Sequence, residues 1–211
     1  MDNSRKGILL VVSGPAGVGK GTIDSILLSR HANMKLSVSA TTREARPGEI
    51  DGVHYFFISE EKFKKMIDED EFLEYMHVFE TNYYGTPRSF VEQELESGND
   101  VMLEIDVNGA MNIKKSYPEA VLVFIAPPSM TALKERLINR NTETPEMIEK
   151  RFHTAFEELQ YIDRYDYVVV NDILDVAVAK MESIISAEKC KSARNSALIK
   201  ELKSKKEKIN D

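Results

Sequence analysis

The sequence predicts an α/β fold in which a parallel central sheet lies between two helical layers, with a lobe inserted between its strands and a helical lid. Three observations predict it. Nearly continuous Val/Ile/Leu runs recur at Ile8–Val12, Leu36–Ala40, Val101–Ile105, Val121–Ile125 and Tyr167–Val170, as in strands buried on both faces, with helical periodicity between most of them. The first run leads straight into Gly14-Pro15-Ala16-Gly17-Val18-Gly19-Lys20-Gly21-Thr22, a glycine-rich turn that opens a helix. Residues 41–97 then break the rhythm with turn sequences at Arg46-Pro47-Gly48 and Asp51-Gly52. The expected organisation is a single domain over 1–211. Its core comprises about 1–40, 98–135 and 152–188, the inserted lobe about 41–97, the lid about 136–151 and a basic tail 189–211.

The glycine-rich turn carries the first chemical statement. Glycine admits positive φ, so successive N–H groups can converge on one centre, and the helix opening at Lys20 adds the positive end of its dipole. Gly14, four residues and then Gly19-Lys20 is P-loop spacing, in which the lysine supplies a mobile charge for a polyphosphate. Gly21 stands where a P-loop has Ser or Thr, and a hydroxyl follows only at Thr22. Magnesium is therefore expected to be held through waters near Thr22 and Asp106.

The first helix carries Ile23, Ile26 and Leu27 behind this loop, and Val53–Ile58 reads as a strand pair or an edge strand. Ser59 caps a helix with a Phe63, Met66 and Ile67 stripe, and a second lobe helix covers Arg88 to Glu96, ending at Gly98. Ser129 caps the helix of Leu133 and Leu137, on which Arg136 and Arg140 share a face four residues apart. Thr144 and Pro145 start the next helix, which carries Arg151. Beyond the last strand, Asn171-Asp172 leads to a helix near Asp175 to Lys189 with Val178, Met181 and Ile185 inward. From Lys189 onward eight Lys or Arg face three Asp or Glu, which reads as a solvated, charged extension.

At 211 residues, 42% of them hydrophobic, the chain can bury a sizeable core in one domain. A net charge of −7 argues against nucleic acid as a partner. The single Cys190 excludes an internal disulfide, and no N-terminal apolar segment of signal or membrane-spanning length is read, so a soluble, cytoplasmic protein without a membrane partner is expected. Phosphoryl transfer needs positive charge and alignment more than covalent help, so the arginines matter most. Arg43 and Arg46 lie beside Tyr55 in the lobe, and Arg136, Arg140 and Arg151 in the lid. Glu104 and Asp106 close a strand where a carboxylate can hold magnesium or its waters, although Asp106 also suits a helix cap.

These pieces resemble one family. GPAGVGKGT, SVSATTREARPGEIDGVHYFF, EFLEY, NYYGTP, LEIDVNGA, FIAPPS, LKERLINRNTETPE and VVVND, in that order over residues 7–188, are similar to guanylate kinase. The resemblance implies ATP-dependent phosphorylation of GMP to GDP with Mg2+, on a P-loop fold with a GMP-binding lobe and a lid. It implies that Ser39, Glu74 and Thr86 face guanine, that Arg43, Arg46, Tyr55 and Tyr84 hold the GMP phosphate, and that Arg136, Arg140 and Arg151 surround the transferred group. It places Glu104 and Asp106 near GMP and the metal, and Asn171 on the adenine side. Catalysis is then assigned to Lys20, Arg43, Arg136, Arg140 and Arg151, with ATP on residues 14–22 and Asn171. Ala16 and Ala40 stand where serine is frequent in the family, and Asn141 where glycine is usual. Two other functions fit parts of the pattern: a kinase for AMP, dTMP or CMP, and a scaffold module that has lost catalysis. The oligomeric state is left open, a homo-oligomer included.

Overall fold

In a computed structural model that describes residues 6–78, 81–139 and 144–204, β1 (Leu9–Ser13) is buried along its whole length. It delivers the glycine-rich turn to α1 (Lys20–Arg30). β2 (Met34–Leu36), β7 (Asp100–Glu104), β8 (Val121–Ala126) and β9 (Tyr167–Val170) complete a five-stranded parallel sheet in the order β2-β7-β1-β8-β9. The period of two along β1 divides its residues between two cores. Leu10 and Val12 join Ile23, Leu27, Leu133, Leu137 and Met181 on one face, whereas Leu9 and Val11 join Val91, Leu95, Ala110 and Ile113 on the other. The helices on the first face are α1, α5 (Met130–Ile138), α6 (Pro145–Leu159) and α7 (Leu174–Cys190); α3 (Arg88–Glu96) and α4 (Val107–Ser116) cover the second.

The run read as one strand at Leu36–Ala40 is two. β2 ends the core contribution at Leu36, with Ser37 N–H still donating to Met102 O (2.9 Å), while Ser39 O already accepts from Phe56 N–H in the lobe. The chain crosses between sheets at Ser37-Val38-Ser39. β3 (Ala40–Thr41) then pairs with β4 (Phe56–Phe57), the edge strand expected within Val53–Ile58, and with β6 (Asn82–Pro87). β5 (Phe72–Val78) closes this four-stranded lobe sheet antiparallel to β6. The β5–β6 hairpin was not read from the sequence, because Glu71, Glu74 and His77 interrupt its apolar residues. α2 (Glu60–Asp68) lies on the lobe, its Lys62 N–H capped by Ser59 Oγ (3.2 Å), and drives Phe63 against Phe72 at a ring separation of 4.4 Å.

The sequence reading of α5, α6 and α7 agrees with their placement, including caps at Ser129 and Thr144. The beginning of the tail is docked rather than solvated. Lys189 ion-pairs with buried Asp100, and Lys191 and Arg194 approach buried Glu188 (2.6 and 3.8 Å), because buried carboxylates need cationic neighbours; Arg194 Nη2 also donates to Glu119 O (2.9 Å). α8 (Ser196–Ser204), by contrast, buries none of its residues. No helix among the described residues is long and apolar enough to cross a membrane.

Candidate functional site

The loop after β1 has its glycines where no other residue fits. Gly14 has φ 143°, and a Cβ there would lie 2.2 Å from Ile125 O; Gly19, at φ 91°, precedes α1. Asn171, just past the end of β9, donates through Nδ2 to Val18 O (2.7 Å) and so fastens the loop from the edge strand of the sheet. A Cβ on Gly19 would meet that same amide at 2.6 Å. Lys20 Nζ donates to Gly14 O (2.5 Å) and Pro15 O (3.3 Å), folded back on its own loop.

A cleft of about 370 Å3 joins this loop to the lobe. Its walls are Gly14, Ala16 and Lys20 from the loop, Ser39, Tyr55, Glu74 and Tyr84 from the lobe, and Glu104, Asp106 and Glu158. β5 and β6 place Glu74 opposite Thr86, whose Oγ1 donates to Glu74 Oε1 (2.8 Å). Burial, with Asp106 nearby, pushes the Glu74 carboxyl up to about 7, against the Thr86 hydrogen bond. Its other oxygen approaches Gly109, where a Cβ would stand 3.2 Å away. Asp106 caps α4, accepting from Gly109 N–H (2.8 Å), so the capping role that the sequence left open coexists with a place in the cleft wall.

Arg43 is held by Glu49 and lies over Tyr55 and Phe57, and Arg46 is exposed on the same turn. Arg136 on α5 and Arg151 on α6 are half-buried and stand outside the cleft wall; Arg140 and Asn141 lie outside the described residues. A Lys134–Glu149 ion pair (3.6 Å) links those two helices. Of the loop residues, Pro15 and Val18 are buried, and Gly17, Gly21 and exposed Thr22 line a second hollow with Lys20 and Glu104.

Three acidic residues escaped the sequence reading. Asp24 is 3% exposed and lies one helical turn after Lys20. Its carboxyl faces that of Glu104 without a well-formed hydrogen bond, and burial, then Glu104, raise it to about 8. A carboxylate beside Ile23 on an apolar stripe was the available signal. Glu158 of α6 reaches the cleft wall, where burial raises its carboxyl against the pull of Lys20. Glu49 is the third. Thr22 and Glu104 share the second hollow, and oxygen groups of this kind suit a hard divalent cation or its waters. Among the described residues no cluster of three or more His, Cys, Asp or Glu could hold a metal.

A parallel sheet with a phosphate-cradling loop and helix at the carboxyl end of its central strand, opening on a side-chain-lined cleft, defines a P-loop nucleotide-binding protein. Residues 6–188 match the family model for guanylate kinase. The chain is 54% identical over 198 residues to the guanylate kinase of Caldanaerobacter subterraneus subsp. tengcongensis, covering 94% of this chain and 96% of that one. It is 52% identical over 188 residues to that of Desulfitobacterium hafniense, covering 89% and 94%. The crystal structure of guanylate kinase from Anaplasma phagocytophilum superposes with a TM-score of 0.74 at 33% identity, covering 90% of each chain. The chain belongs to the guanylate kinase family.

Proposed function

We propose that the chain transfers the γ-phosphoryl of ATP to GMP in line, giving ADP and GDP, as a cytoplasmic enzyme of purine metabolism that recycles GMP. The observation that carries this reading is the cleft itself: one continuous space has the Lys20 loop at one end and the Glu74–Thr86 pair at the other. ATP phosphates lie on the N–H groups of residues 14–22, and Asn171 flanks the adenine side. Lys20 leaves its loop carbonyls for the phosphoryl oxygens, which are stronger acceptors because they are charged. Ionised Glu74 accepts from the N1–H and amino group of guanine, a donor pair that adenine lacks, while Ser39 and Thr86 complete the base contacts.

Arg43, Arg46, Tyr55 and Tyr84 hold the GMP phosphate, and Arg136, Arg140 and Arg151 close on the transferred group from the lid at 136–151. A phosphate with a second pKa of about 6 is already largely dianionic at neutral pH, so no general base is required. Thr22, Glu104 and Asp106 would hold a Mg2+ through waters, and that cation would supply charge neutralisation to the phosphates. Alignment by these groups converts a bimolecular encounter into a transfer between neighbours.

The test is a coupled assay with MgATP and GMP, AMP, dTMP or CMP in turn. Turnover with GMP far above the others is the expected result. Preference for another monophosphate would transfer the acceptor assignment, and absence of ADP formation would favour the scaffold reading.

A further inference from the structure

Arg43 is held in the lobe by a carboxylate that the reaction does not consume. Its Nη1 donates to Glu49 Oε2 and its Nη2 to Glu49 Oε1, both at 2.9 Å, and Nη1 also donates to Glu44 O at 2.6 Å. Glu49 is tied down independently, since its Oε2 accepts from Arg46 N–H (2.7 Å) and its own N–H donates to Arg46 O (3.0 Å). The two side chains are only 14% and 18% exposed, and the guanidinium plane is backed by Tyr55 and Phe57 at 5.5 and 5.7 Å.

A guanidinium has five N–H donors in one plane. The end-on grip of Glu49 and Glu44 engages both hydrogens of Nη1 and one of Nη2. The Nε–H and the second Nη2–H remain side by side along the other edge, a pair whose spacing fits two oxygens of one phosphate. Tyr84, a wall of the cleft, lies near this guanidinium.

We infer that Glu49 is a positioning residue for GMP: by clamping the end of Arg43 it turns the arginine's free edge toward the acceptor phosphate and holds the Arg43–Arg46 turn in register. It acts on the phosphate only, and does not read the base. The inference rests on the proposed role of Arg43 at that phosphate. Glu49→Gln retains size and one acceptor but turns an amide NH2 toward the guanidinium, so the clamp opens.

The experiment measures binding of GMP and of guanosine, which lacks the phosphate, by competition calorimetry. The proteins are the parent, E49Q, R43A and the double variant R43A/E49Q, with kcat and the KM values for GMP and ATP taken alongside. E49Q should weaken GMP by about tenfold or more, the scale of one lost charge-assisted interaction, while guanosine binding and the KM for ATP stay put. In the R43A background E49Q should add little, because both changes remove the same interaction. Equal weakening of GMP and guanosine would mean a general loosening of the lobe and would overturn the inference. So would additive effects, or a GMP affinity that rises in E49Q, which would make Glu49 a competitor of the phosphate. If R43A itself leaves the GMP-to-guanosine ratio unchanged, the role of Arg43 fails and the inference falls with it; if R43A lowers the ratio and E49Q does not, only the inference fails.

Discussion

The two ends of the cleft are electrostatically unlike. In the lobe two of the site's charged groups already have partners: Thr86 donates to Glu74, and Glu49 grips Arg43 with both oxygens. At the P-loop Lys20 donates to the carbonyls of its own loop, and the buried Asp24 oxygens reach hydrogen-bond geometry with no described residue. The proposed function supplies a reason for the difference. On that reading a base and a monophosphate are read by fixed side chains in the lobe, so geometry must exist beforehand. A triphosphate with its cation is cradled by backbone N–H groups and brings the charge that completes its own surroundings. Preorganisation in the lobe and incompleteness at the loop should therefore respond differently to mutation.

Lys20→Ala gives the largest separation of the two. It removes the mobile cation from the incomplete end, and losses of such aligned charge are commonly about a hundredfold or more in turnover. The lobe's contacts are untouched, so GMP affinity measured by calorimetry should stay near that of the parent. A variant with near-normal kcat at saturating MgATP and GMP would remove Lys20 from the transfer step, and a large loss of GMP affinity would show that the two ends are not separable.

Glu74→Gln strikes the prepared end. The amide has one accepting oxygen and turns a donor toward guanine's donors, so the GMP-to-AMP ratio of kcat/KM should fall by about tenfold or more, chiefly through GMP. Measured at saturating MgATP, the ratio isolates base reading from phosphate handling. An unchanged ratio would move base selection to Ser39 and Thr86.

The sequence made the P-loop end more legible than the lobe end, for a physical reason. Backbone cradles leave a spacing of glycines, and parallel strands leave apolar runs, so β1, β7, β8 and β9 and the caps of α5 and α6 stood out. Among the described residues the lobe's cluster has three buried apolar residues, Ala40, Phe63 and Phe72; β3 and β4 are two residues each, and β5 and β6, though longer, are half-exposed. Neither the β5–β6 hairpin nor the break between Leu36 and Ala40 carries a strong period. Glu74 and Thr86 were reached through the resemblance to guanylate kinase, and only the register of β5 on β6 shows them opposite one another. Asp24, Glu49 and Glu158 were missed because a carboxylate's burial depends on tertiary neighbours that lie far away in the chain.

Asp24 allows the sharpest and smallest test of the contrast. Its carboxyl stands near 3.8 when exposed and about 8 in the folded protein, so between those values the folded state binds more protons than the unfolded one. Stability from this group is full below pH 4 and lost as pH rises toward 8. Glu74 has the same sign over a narrower window, from 4.5 to about 7, with Thr86 already supporting its ionised form. Asp24→Asn cannot ionise, so its thermal unfolding should match the parent near pH 4 and exceed it at pH 8 by at least about 1 kcal/mol, the lower end of what leaving a buried polar group without its partner costs. Asn is nearly the same size, which leaves the packing against Ile23 and Leu27 in place. MgATP should narrow the gap at pH 8, because its cation and the released Lys20 give the Asp24–Glu104 pair a compensating charge. Parallel pH profiles for parent and variant would show that Asp24 is satisfied in the folded protein, and the P-loop end would then be as complete as the lobe.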